Sequence, residues 1–243
     1  LVGGSCVIPV SGLAAGTAYE AVVKATNGVA LLTTSSVGDQ TTSAAGPTVY
    51  IAPTGNDSTG AGTSARPWKT LLHALKTANC AAGCTVLLKD GTYVPQGVVD
   101  VTGATALRQG TAAQPVTIKA ENARKAFIQG TTASTQILRL QNAQYYILDG
   151  LRLENIDSVT GSGMNLNIDN GVSVTVRNSL FRFNNRFKNS HLLILENGSN
   201  NLVEKNEFYS WHRKAVHPRK SHFNTIHPTP FGRFLILCRR KRA

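Results

Sequence analysis

Between residues 140 and 210 the apolar positions repeat with a step of 27 or 28. Leu148, Val176 and Val203 form one series, and Leu153, Phe181 and Phe208 form another. Asn142, Asn170 and Asn197 keep the same step in the polar stretches between them. The pattern extends back to Ile118 and Leu87 and forward to Ile226 with Phe231. A repeat of this length built from short strands marks a solenoid. One coil cannot bury its own apolar side chains, but stacked coils share a continuous core. Asparagines aligned at the turns can then hydrogen-bond up the stack. The alternative is a β-sandwich with chance spacing, yet sandwich strands follow one another at shorter intervals without a common register. The expectation is an all-β protein, a right-handed parallel β-helix.

The ends of the repeat differ from its middle. The regular Val203–Phe208 stretch has as its last counterpart Ile226-His227-Pro228-Thr229-Pro230-Phe231. Two prolines there cannot donate ladder hydrogen bonds, so this strand is expected to be an edge or a break. At the other end, Pro67 suits a first helical turn and an Ala74–Ala78 helix is expected. Leu71, Leu72 and Leu75 then share one face with Trp68. Such a short helix would cap the open end of the stack, which otherwise invites aggregation.

Residues 1–45 read separately. The stretch Gly12–Tyr19 leads into a strand at Glu20–Ala25, followed by the turn Asn27-Gly28 and a second strand near Ala30–Thr34. The Leu13-x-x-Gly16-Thr17-x-Tyr19 pattern resembles the last strands of a fibronectin type III module, where the tyrosine sits at a sheet corner. Only about half of such a module is present, and Thr41–Pro47 reads as a linker. The β-helix is assigned to residues 46–231 and a basic irregular tail to 232–243.

The opening of the second part is the most specific stretch of the chain. Val49-Tyr50-Ile51-Ala52-Pro53-Thr54-Gly55-Asn56-Asp57 continues through Gly60-x-Gly62-Thr63 and Arg66-Pro67-Trp68-Lys69-Thr70-Leu71 to Thr85–Tyr93. It resembles the opening of many extracellular β-helix proteins, including family 9 pectate lyases. That resemblance implies the fold and a carbohydrate-active, secreted protein.

Charge narrows the choice of partner. The net charge is +12, but residues 1–176 carry 11 basic against 10 acidic side chains, whereas residues 177–243 carry 14 against 3. Five of the six histidines also fall in the second part. So polarised a chain should attract a polyanion, either an acidic polysaccharide or a nucleic acid. The basic residues lack a recognised nucleic-acid reading motif, which favours the polysaccharide. The apolar run Phe234–Cys238 is far too short to span a bilayer, and a monomer is expected. Cys80-Ala-Ala-Gly-Cys84 can close a small-loop disulfide, with two free thiols as the alternative.

Candidate chemistry concentrates in Trp211–Ile226. A lyase of acidic polysaccharides must neutralise the uronate carboxylate, remove the adjacent C5 proton with a base and let the glycosidic oxygen leave. Lys220-Ser221-x-x-Asn224 resembles the lysine-containing strand of family 6 lyases, which implies Lys220 as the base. Arg213 and Arg219 are assigned to substrate carboxylates, with His212 in reserve and Trp211 as a stacking surface. In that family a Glu-x-Glu pair helps bind calcium. Its counterparts here are Arg213 and Ala215, so calcium is not expected at that position, where Arg213 can supply charge in its place; the cofactor is unassigned, calcium being a candidate without identifiable ligands. Asp149, Asp157 and Asp169 are read as turn carboxylates, and Tyr145, Tyr146, Phe181 and Phe208 as interior. The competing readings are a solvated basic face and a non-catalytic glycan-binding or surface-display β-helix.

Overall fold

The chain divides into two compact units, Leu1–Ala45 and Gly46–Ala243. The computed structural model describes residues 18–26, 32–41, 46–102, 107–131, 136–155, 162–183, 189–209 and 214–227. In the first unit β1 (Ala18–Thr26) and β2 (Leu32–Thr41) pair antiparallel. The second strand runs well past the expected Thr34. Its Thr, Ser and Val residues suit a strand once a partner receives their backbone groups.

In the second unit β3 (Thr48–Ile51) and a single helical turn, α1 (Leu71–Ala74), precede the repeating coils. The first coil holds β4 (Thr85–Leu88), β5 (Gly91–Tyr93) and β6 (Gly97–Asp100). The second holds β7 (Val116–Ala120), β8 (Ala126–Gln129) and β9 (Gln136–Gln141). The third holds β10 (Tyr146–Asp149), β11 (Arg152–Asn155) and β12 (Ser162–Asp169). The fourth holds β13 (Thr175–Arg177), β14 (Leu180–Phe183) and β15 (Asn189–Glu196). The fifth holds β16 (Leu202–Glu204), β17 (Glu207–Tyr209) and β18 (Lys214–Arg219), after which β19 (Thr225–Ile226) begins another. Equivalent strands stack in parallel into three sheets, ordered β3-β4-β7-β10-β13-β16-β19, β5-β8-β11-β14-β17 and β6-β9-β12-β15-β18. The protein is a parallel β-helix.

Register carries the core from coil to coil. Ile118, Leu148, Val176, Val203 and Ile226 pair in sequence along the first sheet. Leu153, Phe181 and Phe208 do so along the second, with the two phenylalanine rings stacked 5.1 Å apart. At the first coil the residue in this series is Val86, which pairs with Ile118, and not Leu87. Val86 and Leu88 are buried whereas Leu87 faces the other side of the strand. Tyr146 is fully buried, but Tyr145 is a half-buried turn residue with φ 52°, not an interior one.

The turns are held by polar side chains. Asn142, Asn170 and Asn197 all have φ between 53° and 59°, a left-handed conformation that asparagine tolerates better than most residues. Asn170 donates to Asn142 and Asn142 to Asp100, each at 2.8 Å, while Asn197 donates to Asp169 at 3.1 Å. A second set lies inside. The amide oxygen of the buried Asn201 accepts from Val174 N–H and its NH2 donates to the Gly171 carbonyl. Asn206 does the same for Ser179 N–H and the Val176 carbonyl. Each supplies an acceptor to a buried turn N–H.

The first end of the stack is closed differently from expectation. Residues 62–68 run along β3: Tyr50 donates to Gly62, Trp68 to Tyr50, and Ala52 to Trp68, at 2.8–3.0 Å. The open edge is therefore covered by an irregular loop that bridges to Ile51 at Trp68, with α1 packed behind it. A side chain at Gly62 (φ 67°) would meet the Trp68 ring at 2.5 Å, which explains the glycine in that motif. The helix starts three residues earlier than predicted and lasts one turn. Asp57 accepts from Lys69 and Thr70, fixing Thr70 as the N-cap, whose hydroxyl accepts from His73 N–H. Asn79 then donates to the His73 carbonyl and ends it. Leu71, Ala74 and Leu75 are buried, but Leu72 points outward. Cys80 and Cys84 form a disulfide, with Cα atoms 5.5 Å apart.

Candidate functional site

The third sheet presents the most chemically loaded surface. Along it Leu138, Leu166, Leu193 and Val216 pair in register, as do Leu140, Ile168, Leu195 and Pro218. The leucines, Ile168 and Val216 are buried. Strand side chains alternate between faces, so the intervening columns form the other face. These are Arg139, Asn167, Ile194 and His217, and beside them Gln141, Asp169, Glu196 and Arg219. Neighbouring strands lie about 4.8 Å apart, so each column places one side chain every 4.8 Å or so, with Asn167, Asp169 and Ile194 buried among them.

Charge alternates along these columns. Asp169 pairs with Arg139 of the preceding coil and also accepts from Asn197 of the next. Glu196 pairs with Arg219 at 3.2 Å. The fifth coil carries Lys214, His217, Arg219 and Lys220 within seven consecutive residues and no acid among them. His191 of β15, which pairs with Lys214, stacks on His217 with ring centroids 4.6 Å apart. The cations of the third-sheet face thus concentrate at β18.

Lys220 immediately follows β18, is exposed, and has φ 49°. Glu196 pairs with Arg219, so Lys220 stands where the three preceding coils place Asn197, Asn170 and Asn142. Its neighbours are turn residues too. Ser221 donates to the Gly198 carbonyl at 2.9 Å, and Asn224 accepts from Asn201 N–H at 3.1 Å while donating to Ser221 at 2.7 Å. The Lys-Ser-x-x-Asn pattern is therefore the turn of the solenoid, with lysine at the outer ladder position. Arg219 is 57% exposed at its side chain. An ion pair so open to water contributes roughly 0–1 kcal/mol, so an incoming carboxylate can compete with Glu196 for it. Trp211, His212 and Arg213 lie outside the described residues, as do Asp157, Pro228, Pro230 and Phe231. Ala215 is buried in the core. Among the described residues no group of three His, Cys, Asp or Glu side chains is placed to hold a metal ion. No described helix is long and apolar enough to cross a membrane.

Asp149 ends β10 at a turn. Asp149 accepts from Arg177 at 3.0 Å and from Asn178 at 2.8 Å, and Gly150 beside it takes φ 69°. Sequence reasoning also missed a cleft on the second sheet, lined by Arg152, Leu180, Arg182, Glu207 and Tyr209. Its residues come from three coils, and the only signal for it is the 27–28 step they share with the core.

No protein-family model matches the chain. A pectate lyase, PEL9, of Emericella nidulans is 29% identical over 121 residues, covering 44% of this chain and 28% of that protein. The uncharacterised protein YwoF of Bacillus subtilis is 28% identical over 113 residues, covering 44% of this chain and 22% of that protein. The chain therefore spans less than a third of either relative. Among solved structures, a GH136 lacto-N-biosidase of Eubacterium ramulus superposes with a TM-score of 0.53 at 15% identity, covering 70% of this chain and 36% of that one. That likeness is one of fold.

Proposed function

We propose that this β-helix belongs to a secreted polysaccharide lyase that cleaves an acidic, uronate-containing polymer by β-elimination, with the third-sheet face as its substrate groove. The observation that carries this reading is the cationic end of that face, where Lys214, His217, Arg219 and Lys220 gather on one coil beside His191. The sequence similarity to a pectate lyase supports the same chemistry. A polymer with a carboxylate on every sugar meets a surface whose strands repeat about every 4.8 Å, and the cations at its β18 end neutralise that charge.

In the elimination, Arg219 exchanges Glu196 for the carboxylate of the sugar being cleaved, and Arg213 assists. Withdrawing charge from the carboxylate acidifies the C5 proton. Lys220 takes that proton, the C4 glycosidic oxygen leaves with the electron pair, and a C4–C5 double bond forms. His212 and Trp211 complete the substrate contacts. Calcium would serve as an additional neutralising charge; the described residues supply no ligand set for it. The N-terminal strand pair fits the closing hairpin of a fibronectin type III-like spacer, and the enzyme acts as a monomer.

A glycan-binding β-helix without catalysis is the second reading, favoured by one observation: Lys220 occupies a structural turn position. The two are separated by incubating the protein with pectate, alginate and chondroitin sulfate, with and without calcium, and following the absorbance of the unsaturated product. Activity is expected on one of these polymers. Lys220→Ala should lower kcat by at least 100-fold, on the scale of lost general-base catalysis. Lys220→Asn, which restores the residue of the three preceding coils, should be equally inactive yet fully folded. Retained activity in both variants removes Lys220 from the mechanism. Binding without product across the panel establishes the second reading.

A further inference from the structure

The second sheet carries its own cleft, separate from the residues assigned to catalysis. Its outward columns are Arg152, Leu180 and Glu207, and beside them Glu154, Arg182 and Tyr209, paired in register over three coils. The intervening column, Leu153, Phe181 and Phe208, is buried. Six side chains from three strands therefore make a flat lattice, roughly 4.8 Å by 6.6 Å per cell, which is about the footprint of a sugar ring. A depression of about 340 Å³ opens between five of them, Glu154 being buried beneath it.

The polar groups of this lattice are held in place. Arg152 donates to Glu154 through Nε and Nη2, at 3.2 and 2.7 Å, and lies 4.2 Å over the Phe127 ring. Glu207 accepts from Tyr209 at 3.2 Å and pairs with Arg124 at 2.7 Å. Arg182 is different. Its Nε stands 3.7 Å from Glu154, beyond hydrogen-bonding distance, and its side chain is 48% exposed. Among the described residues its two terminal nitrogens make no hydrogen bond, which leaves them for a ligand. They form a planar fork that matches a carboxylate. Tyr209, 45% exposed, adds an apolar ring face beside it.

We propose that this cleft is a second binding site for an acidic sugar: Arg182 takes the carboxylate, Leu180 and the Tyr209 ring support the pyranose face, and Glu207 accepts from a hydroxyl. The choice of a sugar rests on the lyase reading above, whereas the anion preference rests on Arg182 alone. Such a site would hold a distal part of a polymer whose nearer part lies on the third sheet.

The test is titration of the full chain with tetragalacturonate, and with cellotetraose as the neutral probe, by calorimetry and by backbone amide chemical shifts. Tetragalacturonate should shift amides of β14 and β17, and cellotetraose should not. Arg182→Gln should weaken that binding about tenfold and leave turnover of short substrates unchanged. Tyr209→Ala should weaken it as well, and both variants should keep the wild-type unfolding midpoint. Shifts on the third sheet alone, or equal affinity for both probes, would overturn the second site while leaving the lyase reading intact. Shifts on the second sheet with no turnover of any polymer would sink the lyase reading and leave the site standing.

Discussion

Single polar side chains decide much of this structure, and they are the residues whose roles sequence reasoning read least well. Buried asparagine in a β pattern reads as a solvent-facing position, yet Asn201 and Asn206 point inward and bond the backbone of the preceding coil. Their identity does not reveal this; only stacking does. Removing the Asn206 side chain takes the acceptor from Ser179 N–H and one donor from the Val176 carbonyl, and a buried group left unpaired costs about 1–3 kcal/mol. Asn206→Ala should therefore lose about 1–3 kcal/mol in urea unfolding with an unchanged m-value. A loss under about 0.5 kcal/mol would contradict the inner ladder. Lys220 shows the same limit. Its charge and setting among other cations are legible, but its turn position appears only once Arg219 is seen beside Glu196.

At the scale of elements, the strands were legible wherever apolar and polar residues alternate and ambiguous where they do not. Leu148, Val176 and Val203 align as their spacing implies. The run Val86-Leu87-Leu88 contains no polar residue to mark the inward parity, so the series slipped by one there. The helix was misplaced because Asp57, thirteen residues earlier, sets its N-cap. Burial raises the Asp57 carboxyl, but hydrogen bonds from Lys69 and Thr70 together outweigh it and hold the group below its ordinary 3.8. A depressed carboxylate stabilises the fold above its unfolded value and loses that contribution as pH falls through the folded one. The α1 cap should therefore loosen below about pH 3.8, before the coils open, and Asp57→Asn should abolish the pH dependence of that step. Hydrogen exchange of the His73 and Ala74 amides as a function of pH checks this.

On the scale of the whole molecule, the solenoid converts a one-dimensional repeat into two surfaces of opposite legibility. The basic face was foreseeable because its residues are close in sequence, from Lys214 to Lys220. The second-sheet cleft was not, since Arg152, Arg182 and Tyr209 meet only when three coils stack in register. The charge pattern has the same origin: Asp169 and Glu196 on the third and fourth coils are each answered by an arginine of a neighbouring coil, and further cations gather on the fifth. That arrangement, more than any one side chain, is the basis for proposing the third sheet as a surface for a polyanion. The most direct test is a crystal structure of the protein soaked with a uronate oligosaccharide. The account predicts sugar density along β15 and β18, with a carboxylate against Arg219 and C5 facing Lys220. Coils out of register, or an oligosaccharide that leaves this face bare while occupying another, would contradict it.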